Sequence, residues 1–121
     1  MPKILFIEDD NSFLSAYSKK FQLEGFEVVP VNSAQLALSI IKEHKPDCIV
    51  LDIMLAGNLN GFDILEAIKR DELFKNIPVV VLTNLDSEEK VAKEIGANEY
   101  FVKTKTDPEE IVNTIKKLIG K

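Results

Sequence analysis

Three short runs built only of apolar residues, Ile4-Leu5-Phe6-Ile7, Cys48-Ile49-Val50-Leu51 and Val79-Val80-Val81-Leu82, each stop abruptly at a polar residue. A strand with one wet face alternates apolar and polar residues. An unbroken apolar run of this length fits a strand covered on both faces. Segments of helical period lie between the runs. One spans about Asn11 to Leu23, with Phe13, Leu14, Ala16, Tyr17 and Phe21 inward, and Gly25 ends it. Another starts at Asn32 or Ser33 and runs to about Glu43, with Leu36, Ala37, Ile40 and Ile41 inward. A third covers about Phe62 to Lys69, with a continuation to Leu73 left open by the pattern, and a fourth Ser87 to Ile95. Asp107-Pro108-Glu109-Glu110 is a helix start, with a capping Asp, Pro at the first helical position and acids in the first turn. Phe26 to Val31 reads as a strand placed at an edge by Pro30, and Tyr100 to Val102 as a short fifth strand. Strands that alternate with helices imply an α/β fold of (βα)5 type, with a parallel sheet, helices on both faces and right-handed crossovers.

At 121 residues the chain has the ordinary size of one domain, and residues 1–121 are expected to form one. The net charge is −5 and no helix carries a basic stripe, which argues against direct binding of nucleic acid. The apolar runs are too short to span a membrane, and the N-terminus lacks the pattern of a signal peptide. A cytoplasmic protein is expected. Cys48 is the single cysteine, so no intramolecular disulfide forms, and its apolar neighbours suggest a buried thiol.

In open α/β sheets, ligands bind beyond the carboxyl ends of the strands. The first strand presents Glu8, Asp9 and Asp10 there, the third Asp52, the fourth Thr83 and the fifth Lys103. Carboxylates gathered in one crevice repel each other unless a cation joins them. A ligand set of oxygens alone favours a hard ion such as Mg²⁺. Asp10 precedes a helix and reads as its cap. His44, the single histidine, reads as a helix-terminus residue.

Four stretches taken in order resemble the receiver domain of two-component response regulators. They are Ile4-Leu5-Phe6-Ile7-Glu8-Asp9-Asp10, Pro46-Asp47-Cys48-Ile49-Val50-Leu51-Asp52-Ile53-Met54, Pro78-Val79-Val80-Val81-Leu82-Thr83 and Tyr100-Phe101-Val102-Lys103. The resemblance covers essentially the whole chain and implies a flavodoxin-like sheet of order 2-1-3-4-5. It implies that Asp52 takes a phosphoryl group from a histidine kinase, a histidine phosphotransfer protein or a small phosphodonor. Asp9, Asp52 and the backbone carbonyl of Met54 would ligate Mg²⁺, with Glu8 reaching the ion through water. Lys103 would pair with one phosphoryl oxygen and Thr83 would donate its hydroxyl to another. Tyr100 would turn inward as Thr83 moves, altering the surface of the fourth helix, fifth strand and fifth helix. A downstream protein, or a second copy of the chain, would read that surface.

The chain departs from the family pattern in three places, one of them being Asn84 and Met54, which line the route of a hydrolytic water in the family picture. Thr104 follows Lys103 where the family usually has Pro joined by a cis bond. Either a trans bond or a strained cis bond is expected, the latter costing about 2.5–4 kcal/mol. The loop Leu55 to Gly61 lacks the Pro common in the family, is one residue longer than usual and is expected to be mobile. These departures leave room for an alternative, a receiver-like interaction module independent of phosphorylation. A phosphatase of the haloacid dehalogenase type would need an acid two residues after Asp52, where Met54 stands. A flavin carrier would need a phosphate cradle after the first strand, where Glu8, Asp9 and Asp10 repel phosphate.

Overall fold

The structure, a computed structural model, describes residues 1–55 and 60–120. The elements run β1 (Lys3–Ile7), α1 (Asn11–Leu23), β2 (Glu27–Val31), α2 (Ala34–His44), β3 (Cys48–Leu51), α3 (Gly61–Arg70), β4 (Val79–Thr83), α4 (Glu89–Ile95), β5 (Glu99–Val102) and α5 (Pro108–Leu118). A 3₁₀ turn, Lys103–Lys105, links β5 to α5. The strands form one parallel sheet, as the alternation of strands and helices predicts, in the order β2-β1-β3-β4-β5 that the resemblance implies. Pro30 lies on the outer strand, opposite Phe6, where its missing N–H costs no ladder bond to a further strand.

Successive strand residues point to opposite faces, and the apolar runs therefore feed two cores. Leu5, Ile7, Ile49, Leu51, Val79 and Val81 meet Ala37 and Ile41 of α2, Ile64, Leu65 and Ile68 of α3, and Ala92 of α4. Ile4, Phe6, Cys48, Val50, Val80 and Leu82 meet Leu14 and Phe21 of α1 and Ile111, Val112 and Ile115 of α5. Both faces of β1, β3 and β4 are thus closed to water, which is why, after Lys3 at the start of β1, those strands stay apolar up to their carboxyl ends.

Local chemistry sets the helix ends. Asp10 caps α1, its Oδ1 accepting the N–H groups of Ser12 (3.0 Å) and Phe13 (3.2 Å). Gly25, at φ +96°, turns the chain out of α1 in a conformation that side chains disfavour. Asn60 and Asp63 form a reciprocal capping box on α3. Asp107 caps α5 with Pro108 at its first position. Three expectations need correction. Ala16 is exposed, because it lies roughly 200° round the helix from Leu14, on the opposite side from the Leu14–Phe21 stripe. Leu36 is 56% exposed, because the buried stripe of α2 is Ala34, Ala37 and Ile41, and Leu36 falls off its edge. The fourth helix begins at Glu89 rather than Ser87, without a side-chain cap.

Cys48 is fully buried, and burial pushes its thiol up to about 12. The thiolate is the reactive form. The native protein should therefore leave a chromogenic disulfide reagent unconsumed at pH 8, with one equivalent consumed once denaturant is added. Rapid consumption under native conditions would contradict the burial described here.

Candidate functional site

The parallel ladder between β1 and its neighbours runs one residue beyond the strands. Glu8 donates its N–H to the carbonyl of Val31 (2.9 Å), and Asp52 donates its N–H to the carbonyl of Ile7 (3.0 Å). These bonds fix the first residues after β1 and β3 side by side at the carboxyl edge of the sheet. On the other flank, Thr83 ends β4 opposite Val102, and Lys103 follows at once. Among the described residues, the buried polar or charged ones are Glu8 (1% exposed), Asp52 (3%) and Thr83 (0%). Buried polar groups are costly unless partnered. Here all three stand at the carboxyl ends of the neighbouring strands β1, β3 and β4, where the sequence predicts chemistry.

Lys103 joins them. Its Nζ lies 2.9 Å from Oδ2 of Asp52 and 2.6 Å from Oε1 of Glu8, and 4.1 Å from the centroid of the Phe13 ring. Asp52 Oδ1 accepts the N–H of Met54 (2.8 Å), and Glu8 Oε2 accepts that of Asp10 (3.1 Å). Burial pushes the Glu8 carboxyl above its usual range. Its contacts with Lys103 and Asp10 oppose the shift, and the charge of Asp52 adds to it. Burial alone would lower Lys103, but the close contacts and charges of Glu8 and Asp52 outweigh it and hold the ammonium above its usual value. The lysine is therefore charged throughout the physiological range. No cis peptide bond occurs among the described residues, so Lys103-Thr104 is trans. The 3₁₀ turn at Lys103–Lys105 leads the chain away in place of a prolyl kink.

The donor set fits a small hard cation in part. Asp9 is exposed at the end of β1, and the backbone of Met54 lies against the Asp52 carboxylate. Glu8 Oε1 is buried, and it is in a 2.6 Å ion pair with Lys103 but accepts no hydrogen bond of its own. An oxygen in that condition gains from a better-placed positive partner. No group of three or more His, Cys, Asp or Glu side chains forms a ready-made metal cage among the described residues. The expected convergence of carboxylates is thus limited to Glu8 and Asp52, with Lys103 between them. That suits Mg²⁺, which takes one or two carboxylates and keeps waters, better than an ion needing an all-protein cage.

Thr83 and Tyr100 meet at a residue that sequence reasoning missed. The N–H of Leu85 donates to Thr83 Oγ1 (3.4 Å), and the carbonyl of Leu85 accepts from the Tyr100 hydroxyl (2.5 Å). Tyr100 stands inward, 8% exposed. Along α4, Glu89 pairs with Lys93, and at the end of α1, Glu24 pairs with Lys116 of α5. Gly61 was also missed as a site residue. Its N–H donates to the carbonyl of Ile53 (3.2 Å), and a Cβ there would come within 2.5 Å of the Asp52 carbonyl oxygen. The expectation of a mobile loop falls on residues 56–59, which lie outside the described residues.

A family model for the response regulator receiver domain matches residues 4–116. The chain belongs to that family and is a receiver domain of the two-component response regulator type. It is 36% identical over 105 residues to the transcriptional regulatory protein AfsQ1 of Streptomyces coelicolor, covering 85% of this chain and 45% of that protein. The chain thus spans about half the length of that relative. It is 28% identical to the polar-differentiation response regulator DivK of Brucella anthropi, over 99% of this chain and 98% of that one. Among solved structures, the BeF₃-activated N-terminal receiver domain of Klebsiella pneumoniae RstA superposes with a TM-score of 0.87 at 28% identity, covering 98% of this chain and 99% of that chain. Family membership sets aside the phosphatase and flavin-carrier alternatives.

Proposed function

We propose that this chain accepts a phosphoryl group on Asp52. The observation that carries the reading is the ammonium of Lys103 held between the buried carboxylates of Glu8 and Asp52, with the buried hydroxyl of Thr83 at the end of the neighbouring strand. A fold gains nothing in stability from such a cluster alone, whereas each member has a role in moving a phosphoryl group.

A carboxylate oxygen of Asp52 attacks the phosphorus of a phosphohistidine. The new P–O bond forms as the P–N bond breaks, and the imidazole leaves with the bonding pair and is protonated from solvent. With a small donor such as acetyl phosphate, acetate leaves instead. Lys103, already at hydrogen-bond distance from Asp52, shifts to a phosphoryl oxygen as a point charge. Thr83 donates its hydroxyl to a second oxygen and gives up its acceptor role toward Leu85. Because Leu85 is also held by Tyr100, that change reaches α4, β5 and α5. Asp9, Asp52 and the Met54 carbonyl would hold Mg²⁺, with Glu8 reaching it through water. The ion would offset repulsion between the carboxylate and the incoming phosphoryl group. Hydrolysis of the acyl phosphate returns Asp52. The donor would be a histidine kinase or a histidine phosphotransfer protein in the cytoplasm. A downstream protein, or a second copy of the chain, would read the altered face.

Intact-protein mass after incubation with acetyl phosphate tests this. One phosphoryl adduct is expected, requiring Mg²⁺ and absent in Asp52→Ala. No adduct in a folded protein that also fails to bind beryllofluoride would overturn the reading and favour an interaction module independent of phosphorylation.

A further inference from the structure

We propose that Phe13 is a positioning residue that holds the Lys103 ammonium over the Asp52 carboxylate; this deepens the phosphoacceptor reading and rests on it for its kinetic consequence. The trans Lys103-Thr104 bond and the 3₁₀ turn leave the lysine at the mouth of the crevice with no ring in its own backbone to aim it. Its direction must come from what surrounds the side chain. Glu8 and Asp52 take the ammonium from one side, and the face of Phe13 lies against it at 4.1 Å to the centroid. The negative face of an aromatic ring attracts a cation at this distance, more strongly where water is excluded. The Lys103 side chain is 8% exposed.

The ring is itself fixed. Phe13 is the third residue of α1, and its own N–H is one of the two that the Asp10 cap receives. Its ring stacks on Tyr17, with centroids 4.3 Å apart and 17° between planes, and stands edge-on to Phe6 at 6.4 Å. Phe6 belongs to β1, two residues before Glu8. The floor under the lysine is therefore tied to the strand that supplies one of its carboxylate partners. When Lys103 turns from Asp52 to a phosphoryl oxygen, the carboxylate contact changes while the ring contact can stay. Phe13 thus keeps the ammonium within reach during transfer.

The test compares Phe13→Leu, which keeps an apolar side chain and removes the ring, with Phe13→Tyr, which keeps the ring. In protein labelled with ¹³C at lysine, the ε-methylene protons of Lys103, assigned by their loss in Lys103→Met, should lie upfield of the other lysines through the ring current. They should move back in Phe13→Leu and stay upfield in Phe13→Tyr. The rate constant for phosphorylation by acetyl phosphate should fall roughly five- to thirtyfold in Phe13→Leu, which is about 1–2 kcal/mol at 1.4 kcal/mol per decade. Phe13→Tyr should phosphorylate at close to the parent rate. Unshifted Lys103 resonances in the parent protein, or a Phe13→Leu protein that phosphorylates at the parent rate, would overturn the proposal. If the parent accepts no phosphoryl group while the resonance pattern is as expected, the phosphoacceptor reading fails and the positioning of Lys103 by Phe13 stands.

Discussion

Gly61→Ala is expected to cost the protein more stability than any other single-methyl addition at a described glycine. Gly61 opens α3 and passes directly under the end of β3. Its backbone conformation is not what demands glycine, because its φ lies outside the left-handed region. The demand is steric. An added Cβ would lie within 2.5 Å of the Asp52 carbonyl oxygen and closer still to Ile53 Cα. Both neighbours are backbone and have no rotamer by which to yield. Relief requires α3 to move away from β3, breaking the Gly61–Ile53 hydrogen bond and opening the packing of Ile64, Leu65 and Ile68. Overpacking of this kind costs about 3 kcal/mol or more where nothing can give. For a domain of this size that is a fall in Tm of roughly 10–15 °C. Gly25→Ala is the control, since a Cβ at Gly25 meets nothing within 4 Å and only its φ of +96° is strained. That change should cost about 1–2 kcal/mol. Circular dichroism melts of both variants give the answer. If Gly61→Ala melts as high as Gly25→Ala, the close approach of α3 to β3 is not as described.

The contrast shows which features were legible in the sequence. Runs such as Cys48 to Leu51 announce strands buried on both faces, because covering both faces leaves no position for a polar residue. The residue that ends each run then falls at the carboxyl edge, so Glu8, Asp52, Thr83 and Lys103 could be named and brought together before any coordinates. What a pattern cannot carry is contact between elements far apart in the chain. Phe13 reads as one more inward residue of an amphipathic helix, and nothing local says that Lys103, beyond β5, rests on its ring. Leu85 reads as a loop residue, because its link to Thr83 and Tyr100 runs through its backbone groups and leaves no mark on side-chain identity. Gly61 reads as a helix start, since its clash partner is the backbone of Asp52 and Ile53. Leu36 was misread for a related reason. The period places it near the apolar stripe of α2, but only the packing of Ala34, Ala37 and Ile41 decides where the stripe ends.

Lys103→Met is expected to make stability depend steeply on pH and on Mg²⁺. Methionine keeps much of the apolar stem and removes the charge, so two buried carboxylates lose the cation between them. Leaving part of a buried ion pair uncompensated costs about 3–5 kcal/mol. The sign with pH follows from Glu8, whose folded pKa is raised above its ordinary 4.5, first by burial. The Lys103 contact is the largest influence opposing that rise, so its removal pushes Glu8 higher still. A carboxyl whose folded pKa exceeds its unfolded value leaves stability intact below the unfolded pKa, and stability is lost as pH rises through the folded value. In chelator, the deficit of Lys103→Met relative to the parent should therefore be small near pH 4.5 and grow toward neutrality. Millimolar Mg²⁺ should recover much of the deficit at pH 7 by standing in as the positive partner of the carboxylates, and should raise the Tm of the variant more than that of the parent. Thermal melts across this pH range, with and without the ion, decide the matter. A deficit that stays constant with pH and ignores Mg²⁺ would mean that Lys103 contributes packing alone, and that the charge arrangement around Asp52 is not what holds this end of the sheet.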